Sequence, residues 1–309
     1  MMNRSRVVLV TPVRDEQKYI GAMIESIINQ VVRPAKWIIV DDGSTDSTRT
    51  IVKSYALQYE FITLIELPAR SKRQPGGESA ISQGLNQIEL SDYEFVARFD
   101  ADLRFESDYF ARMLEEFTAD PTLGIAGGGL YIQQDRALRP ELAPDYHVRG
   151  ALKMYRRECY EDIGGLTTGI GWDTIDEVTA WTKGWTTKSF FECQVIHRRP
   201  TGEGLRASRV YWERGKAEYF TWSHAFFVGA KTLKIAADAA GPVCALCFLA
   251  GFVWSYVQRY DRLSDPEFTR IRRSQQWGRT KGAVTSRVAK LVALRNQASV
   301  GQLDVRDGQ

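Results

Sequence analysis

The chain opens as a repeating alternation of short apolar runs and longer amphipathic stretches. Val7–Val10 is a continuous apolar run ending at Thr11-Pro12. Behind it Ile20, Met23, Ile24, Ile27 and Ile28 share one stripe at helical spacing, which stops before Pro34. Trp37–Val40 predicts the next strand, and Ile51, Val52, Tyr55, Ala56 and Tyr59 the next helical stripe. Phe61–Leu67 predicts a third strand, Glu78–Leu90 a third helix and Phe95–Phe99 a fourth strand. Strands alternating with helices of this length imply right-handed crossovers and a mainly parallel sheet. Ligands of such a sheet bind in the crevice beyond the carboxyl ends of its strands.

Three polar motifs fall at those ends. Thr11-Pro12-Val13-Arg14-Asp15-Glu16 follows the first strand, Asp41-Asp42-Gly43-Ser44-Thr45-Asp46 the second and Asp100-Ala101-Asp102 the fourth. Residues i and i+2 of an extended segment point the same way, so Asp100 and Asp102 can address one divalent cation. The competing reading is two carboxylates capping a turn ahead of the helix near Ser107. Neither Gly-x-Gly-x-x-Gly after the first strand nor Gly-x-x-x-x-Gly-Lys-Ser/Thr occurs, which disfavours a dinucleotide fingerprint and a P-loop. Carboxylates repel phosphate unless they accept donors from a base or ribose, or hold a metal that reverses the local charge.

In this order, each at a strand end, the three motifs resemble the GT-A glycosyltransferases of family 2. The resemblance implies an α/β, GT-A-like nucleotide-diphospho-sugar transferase fold with a C-terminal helical appendage. It implies nucleoside contacts from Pro12, Glu16, Asp41 and Asp42, and a Mg2+ or Mn2+ held by Asp100 and Asp102 against the donor diphosphate. Asp100 thereby belongs to both the nucleotide and the metal set. Asp15 departs from the Asn that many relatives carry.

The stripe Tyr109, Phe110, Met113, Leu114 and Phe117 predicts a further helix, and Gly124–Tyr131 a strand whose glycines permit close approach. Gly171-Trp172-Asp173-Thr174-Ile175-Asp176-Glu177 then precedes Gly184. In the family, a carboxylate that starts the helix after such a glycine-rich loop is the catalytic base, usually in a Glu-Asp pair followed about eleven residues later by Gly. Asp173 lies eleven residues before Gly184, with Trp172 in place of the usual Glu. Asp176 is one helical turn on, on the same side. Asp173 is the preferred base and Asp176 the alternative, the other orienting the base or the acceptor. Both also suit helix capping, with Glu177 as a capping-box partner. His197 ends the run Phe190–Ile196; some GT-A enzymes recruit a His after this strand as a further metal ligand, which imidazole suits, while a hydrogen-bonded structural histidine is the rival reading. Arg198, Arg199, Arg206 and Arg209 are candidate contacts for a diphosphate or an acceptor phosphate, or solvated surface arginines.

Composition adds limits. Lys and Arg number 41 against 38 Asp and Glu, a net charge of +3, so no global polycation suggests a nucleic-acid partner. From Gln258 onward, however, eleven basic residues stand against five acids. Such a tail suits an anionic membrane surface, a nucleic-acid contact or a solvated helical face. Ile235–Val257 is 23 residues with Asp238 as its one charge, long enough to span a bilayer. The charge, Pro242 and the Ala-rich start favour an interfacial or dimerising helical region, ahead of a true span and a soluble cap. Val300–Gln309 looks frayed. Cys244 and Cys247 have the spacing of a metal half-site but lack a second pair or a nearby His, so they read as buried small hydrophobes. The N-terminus lacks a long apolar region with a cleavage site and reads as a first strand in a cytosolic compartment.

The expected organisation is a nucleotide-sugar-binding half over 1–103, an acceptor-binding and catalytic half over 104–225, and a helical membrane-associated or oligomerising region with a basic tail over 226–309. The expected activity is metal-dependent, inverting transfer of a sugar from a nucleotide-diphosphate sugar to a hydroxyl of a saccharide or lipid-linked acceptor, peripheral on the inner face of the cell membrane. The resemblance in Gly171–Glu177 points to bacterial enzymes assembling exopolysaccharide or lipid-linked saccharide. A nucleotidyltransferase would share the paired-carboxylate site but needs a Gly/Arg/Lys loop over a triphosphate, where this chain has Thr11–Glu16. A non-catalytic sugar-nucleotide-binding scaffold would lack the acceptor-side carboxylates, which are present as Asp173 and Asp176.

Overall fold

The computed structural model describes residues 5–68, 78–134, 137–141, 143–167, 169–199, 206–238, 240–263 and 265–279. They belong to two compact units, Met1–Arg206 and Ala207–Gln309.

The first unit is built on one sheet. Strands β1 (Ser5–Val13), β2 (Pro34–Asp41), β3 (Ile62–Glu66) and β4 (Phe95–Phe99) pair in parallel in the order β3-β2-β1-β4. Helices α1 (Ile20–Ile28), α2 (Thr48–Ala56) and α3 (Glu78–Leu85) make the crossovers. Alternate side chains of β1 serve opposite faces. Val7 and Leu9 pack with Ile20, Met23 and Ile24 of α1, while Val8 and Val10 pack with Ala80, Ile81 and Leu85 of α3. A strand buried on both faces is therefore apolar throughout, as its sequence showed.

Beyond β4 the sheet is mixed. Its further strands are β5 (Leu103–Phe105), β6 (Leu123–Gln134), β7 (Ala137–Pro140), β8 (Leu152–Arg156) and β9 (Thr186–His197), with helices α4 (Tyr109–Ala119), α5 (Arg157–Asp162) and α6 (Trp172–Thr182). The order continues β4-β8-β6-β9-β5, and β7 pairs with β6. β8 runs antiparallel to both β4 and β6, and β9 runs parallel to β6 but antiparallel to β5. The third helix is shorter than its sequence suggests: α3 ends at Leu85, and a separate 3-10 turn covers Leu90–Asp92.

The second unit contains α7 (Ala207–Phe220), α8 (Ala225–Ala237), α9 (Gly241–Val257) and a helix over 266–279. The apolar stretch 235–257 is not one helix. α8 ends at Ala237, and α9 restarts at Gly241, whose φ of 74° is left-handed, with Pro242 in its first turn. Among the described residues no helix is long and apolar enough to cross a membrane, which corrects the spanning alternative for this stretch. α7 and α9 meet at two glycines. A Cβ on Gly215 would strike the Phe248 carbonyl, and one on Gly251 the Trp212 carbonyl. Cys244 is buried beside Phe248 and Phe252, and Cys247 is half-buried. The basic residues from Lys281 on, and the frayed end expected over 300–309, lie outside the described residues.

Glu218 of α7 is buried in this unit. It accepts hydrogen bonds from the Lys231 ammonium and the Ser223 hydroxyl, with the Arg272 guanidinium 3.7 Å away. Burial opposes its ionisation, but the two cations outweigh burial and hold its pKa at about 2. A depressed carboxylate stabilises the fold above its unfolded pKa, and that stabilisation is lost as pH falls from about 4.5 toward 2. Glu218→Gln should cost of order 2–3 kcal/mol at pH 7 and flatten the acid limb of stability. Urea denaturation followed by tryptophan fluorescence at pH 7 and pH 3 checks this; an acid limb unchanged by the substitution refutes it.

Candidate active site

The parallel register sets Pro12 beside Val40 and Val13 beside Asp41, so the first two acidic loops emerge side by side. They are then stitched together. Asp15 adopts φ 56°, a left-handed conformation that Asp and Asn tolerate better than most residues. From there its Oδ1 accepts the Thr45 amide at 2.8 Å and the Thr45 hydroxyl at 3.1 Å. The Glu16 amide donates to Thr48 Oγ1 at 2.7 Å, and the Gln17 amide to Asp46 Oδ2 at 3.1 Å. An Asn carbonyl oxygen would accept the same two bonds as Asp15, so that departure from the family keeps the geometry. Asp41 is fully buried; its carboxylate takes the Ser44 amide and two bonds from Arg49, at 2.9 and 2.6 Å. Pro12 and Asp42 keep partial exposure, with Arg14 3.8 Å from Asp42.

Asp100 and Asp102 follow β4. The Asp100 amide donates to the Ala151 carbonyl at the head of β8, and its Oδ1 lies 3.0 Å from the Arg98 guanidinium. Antiparallel pairing of Leu103 with His197 brings the segment 197–199 against Asp102, whose carbonyl accepts the Arg198 amide. Arg199 bridges two carboxylates, with Nε 2.9 Å from Asp102 Oδ2 and a terminal nitrogen 2.7 Å from Glu16 Oε1. His197 Nε2 is 3.6 Å from Asp102 Oδ1, and its Nδ1 is 3.3 Å from Glu141, which also takes Arg149 at 2.6 Å. Neither Asp100 nor Asp102 caps α4, whose N-cap position is Asp108.

The electrostatics follow from these contacts. Burial pushes both carboxyls of the pair up. At Asp102, His197 and Arg199 outweigh burial and hold it below the usual range; Asp100 ends up raised, because Arg98 only partly offsets burial and Asp102 adds repulsion. Burial would lower His197, but Asp102 and Glu141 outweigh it and push its pKa up to about 9. Asp102 Oδ1 is buried and makes no hydrogen bond, with His197 Nε2 3.6 Å away, which leaves it an acceptor that a cation could satisfy more closely. Among the described residues no three His, Cys, Asp or Glu side chains converge as a complete metal cage. Two carboxylates, completed by phosphate oxygens and water, nonetheless form the kind of donor set that Mg2+ and Mn2+ accept.

The acceptor-side candidates lie on α6. Its N-cap position is Gly171, at φ 84° and without a side-chain cap, so neither Asp173 nor Asp176 caps the helix. Asp173, in the first turn, is half-buried. Asp176 is 1% exposed and engaged by the Lys153 ammonium at 2.9 Å and the Tyr155 hydroxyl at 2.5 Å. Burial pushes its pKa up to about 6 against the pull of Lys153. Lys153, fully buried on β8, also donates to the Asp173 carbonyl and lies 3.2 Å from Glu177. Glu177 further accepts the Val148 amide and holds His147, each at 2.8 Å. Arg98 joins the two halves of the site: it pairs with Asp100, donates to the Gly150 carbonyl, and lies over the Trp172 ring at 4.5 Å. A Cβ on Gly150 would come within 2.8 Å of the far edge of the Trp172 ring, so a larger residue there would push that ring aside.

Glu16, Asp100, Asp102, His197 and Arg199 are thus brought together, and Asp173 joins them through Arg98 and Trp172. The Arg198 side chain is exposed, as are Arg206, at the end of the first unit, and Arg209, in the second. Sequence reasoning missed Arg98, Glu141, Lys153 and Tyr155. The signal for Arg98 and Lys153 was a lone cation inside an apolar strand, which cannot be buried without an anion; Glu141 carried none.

Comparisons with known proteins address the family and the fold. A poly-beta-1,6-N-acetyl-D-glucosamine synthase of Staphylococcus epidermidis is 25% identical over 273 residues, 79% of this chain and 61% of that protein. That of Staphylococcus aureus strain COL is 22% identical over 269 residues with the same coverages, so the chain spans 61% of the length of these relatives. Among solved structures, the mannosyltransferase PcManGT from Pyrobaculum calidifontis, in complex with GDP-Man and Mn2+, superposes with a TM-score of 0.52 at 20% identity, covering 94% of this chain and 80% of that one. Residues 1–349 of S. aureus TarS with UDP-GlcNAc give a TM-score of 0.51. These likenesses show a GT-A-like fold. A family model described as glycosyl transferase family 2 matches residues 8–170, more than half of the sequence, and the chain belongs to that family.

Proposed function

We propose that this chain moves a glycosyl group from a nucleotide-diphosphate sugar to a hydroxyl of a saccharide or lipid-linked acceptor, in one displacement with inversion. The observation that carries the reading is the juxtaposition made by Arg98: a carboxylate pair with a buried oxygen that makes no hydrogen bond at one end, and half-buried Asp173 beside Trp172 at the other. The curated relatives are named for polymerising an N-acetylglucosamine, and the solved structures hold GDP-Man or UDP-GlcNAc. What these donors share is a sugar on a nucleoside diphosphate.

Pro12, Glu16 and Asp42 flank the nucleoside, while Asp41 acts through Arg49 as a brace of the loop. A divalent cation on Asp100 and Asp102, with His197 as the candidate third ligand, would offset the charge of the diphosphate and of the leaving group. Asp173 takes the acceptor hydroxyl proton as the new C–O bond forms and the bond to the diphosphate breaks on the opposite face of the sugar. Lys153 fixes the Asp173 carbonyl, and Asp176 holds Lys153. Asp176, buried and engaged by two donors, suits orientation better than proton removal.

The second unit supports a peripheral site on the cytoplasmic face of the membrane. α9 carries no charge, and Val243, Leu246, Val253 and Val257 form an exposed apolar row along it, with exposed Arg259, Arg270, Arg273 and Arg279 following. A second copy of the chain is the alternative occupant of that row.

Three outcomes test these readings. Asp100→Ala or Asp102→Ala should weaken UDP or GDP binding in Mn2+ by about tenfold or more while leaving uridine or guanosine binding intact; calorimetry showing equal losses would separate the pair from the diphosphate. Asp173→Asn should lower single-turnover transfer by a factor of order 10² or more with donor affinity unchanged, and Asp176→Asn should lower it less. Near-normal transfer by the first variant with a dead second one moves the base one helical turn along. Binding to anionic liposomes should exceed binding to neutral ones and fall with salt, whereas sedimentation insensitive to both, with a dimer in solution, would assign the α9 row to a second copy.

A further inference from the structure

Among the described residues, each carboxylate of the crevice already has a basic side chain beside it before any ligand enters. Glu16, Asp100, Asp102 and Glu141 are met by Arg98, Arg149, His197 and Arg199. These cations are not equivalent. Arg98 is 5% exposed and anchored by the Gly150 carbonyl and the Trp172 ring. His197 is 8% exposed and lodged between Asp102 and Glu141. Arg149 reaches Glu141, not the Asp100–Asp102 pair. Arg199 keeps 30% exposure, lies two residues beyond β9, and spends its guanidinium fork on one carboxylate from each of two candidate sets, Glu16 and Asp102. It covers Asp102 Oδ2 while Oδ1 lacks a hydrogen bond.

We infer that Arg199 is the resting-state substitute for the divalent cation, and that it gives up Asp102 and passes to the donor diphosphate when metal and nucleotide arrive together. The inference rests on the reading of the crevice as a nucleotide-diphosphate site and adds to it a rule of binding order. A divalent cation entering alone would meet a carboxylate already paired with a guanidinium and would have to displace it, leaving Arg199 with Glu16 as its one carboxylate partner of the two. A diphosphate supplies a replacement partner, because a guanidinium matches two phosphate oxygens as well as it matches a carboxylate. Each ligand therefore removes the obstacle to the other, and the coupling is reciprocal. Metal without donor is held weakly; donor with metal is held tightly.

The test is the Mn2+ affinity of the full chain, by electron paramagnetic resonance or calorimetry, without nucleotide and with saturating UDP or GDP, for wild type and Arg199→Gln. In wild type, nucleotide should tighten Mn2+ strongly. Arg199→Gln should bind Mn2+ about tenfold more tightly than wild type without nucleotide, and the gain on adding nucleotide should shrink by a similar factor. Should Arg199→Gln fail to fold, Arg199→Lys carries the test: it keeps the charge but lacks the fork spanning Glu16 and Asp102, and it should shift both quantities the same way by less. Nucleotide-free Mn2+ affinity that is equal to or weaker than wild type in the variant overturns the role of Arg199 while leaving the metal site standing. No Mn2+ binding to either protein, with or without nucleotide, overturns both the inference and the reading beneath it.

Discussion

A parallel sheet that gathers carboxylates at one end must neutralise them, and that constraint shapes the rest of the first unit. Glu16, the Asp100–Asp102 pair and Glu141 come from three segments, and each carboxylate is met by a cationic side chain. Unanswered, Glu16, Asp102 and Glu141, at 3%, 4% and 10% exposure, would cost several kcal/mol each. The cations in turn set geometry. Arg98 fixes the distance between the carboxylate pair and the start of α6, and Lys153, fully buried, gathers Asp176, Glu177 and the Asp173 carbonyl beneath the first turn of that helix.

This arrangement separates two kinds of acidic residue that look alike in a sequence. Asp41 and Asp176 lie in the motif segments, yet each is enclosed and spent on its neighbours, a guanidinium for one and an ammonium and a phenol for the other. Asp42 and Asp173, one and three residues away, keep part of their surface. In both pairs one carboxylate is enclosed by its partners and the other stays partly open to solvent.

The parallel half of the sheet was legible because its strands are buried on both faces and its helices carry one apolar stripe each: β4 runs over the same residues, Phe95–Phe99, that periodicity gave. The mixed half was legible in part: Gly124–Tyr131 lies within β6 and Phe190–Ile196 within β9. β5 is three residues long, β7 is exposed along its length, and β8 carries Lys153 and Arg156 among its five residues, so none of these three has the period that marks a strand. Residues of the site that sit in motifs were legible for the same reason that motifs are: their chemistry is local. Arg98, Glu141, Lys153 and Tyr155 act across 21 to 56 residues of sequence, and only the closed fold shows which charge answers which. In the second unit, composition marked α9 as apolar but not the break before it, which depends on the left-handed Gly241 and the proline that follows.

The route of the chain from α6 into β9 carries one more consequence. Trp172–Thr182 turns at Gly184 and continues at once as Thr186–His197, so a single uninterrupted stretch begins with the acceptor-side carboxylate and ends with the histidine and arginine beside Asp102. β9 is a rod of about 40 Å, paired along β6 with register slips between Leu123 and Ile125 and between Gly128 and Gly129. A shift of that rod by one residue would carry both ends with it. The two sides of the crevice therefore share one ruler, and an insertion or deletion inside β9 changes their separation and their facing at the same stroke; divergence in substrate is free to proceed by swapping side chains at either end, but not by altering the length between them.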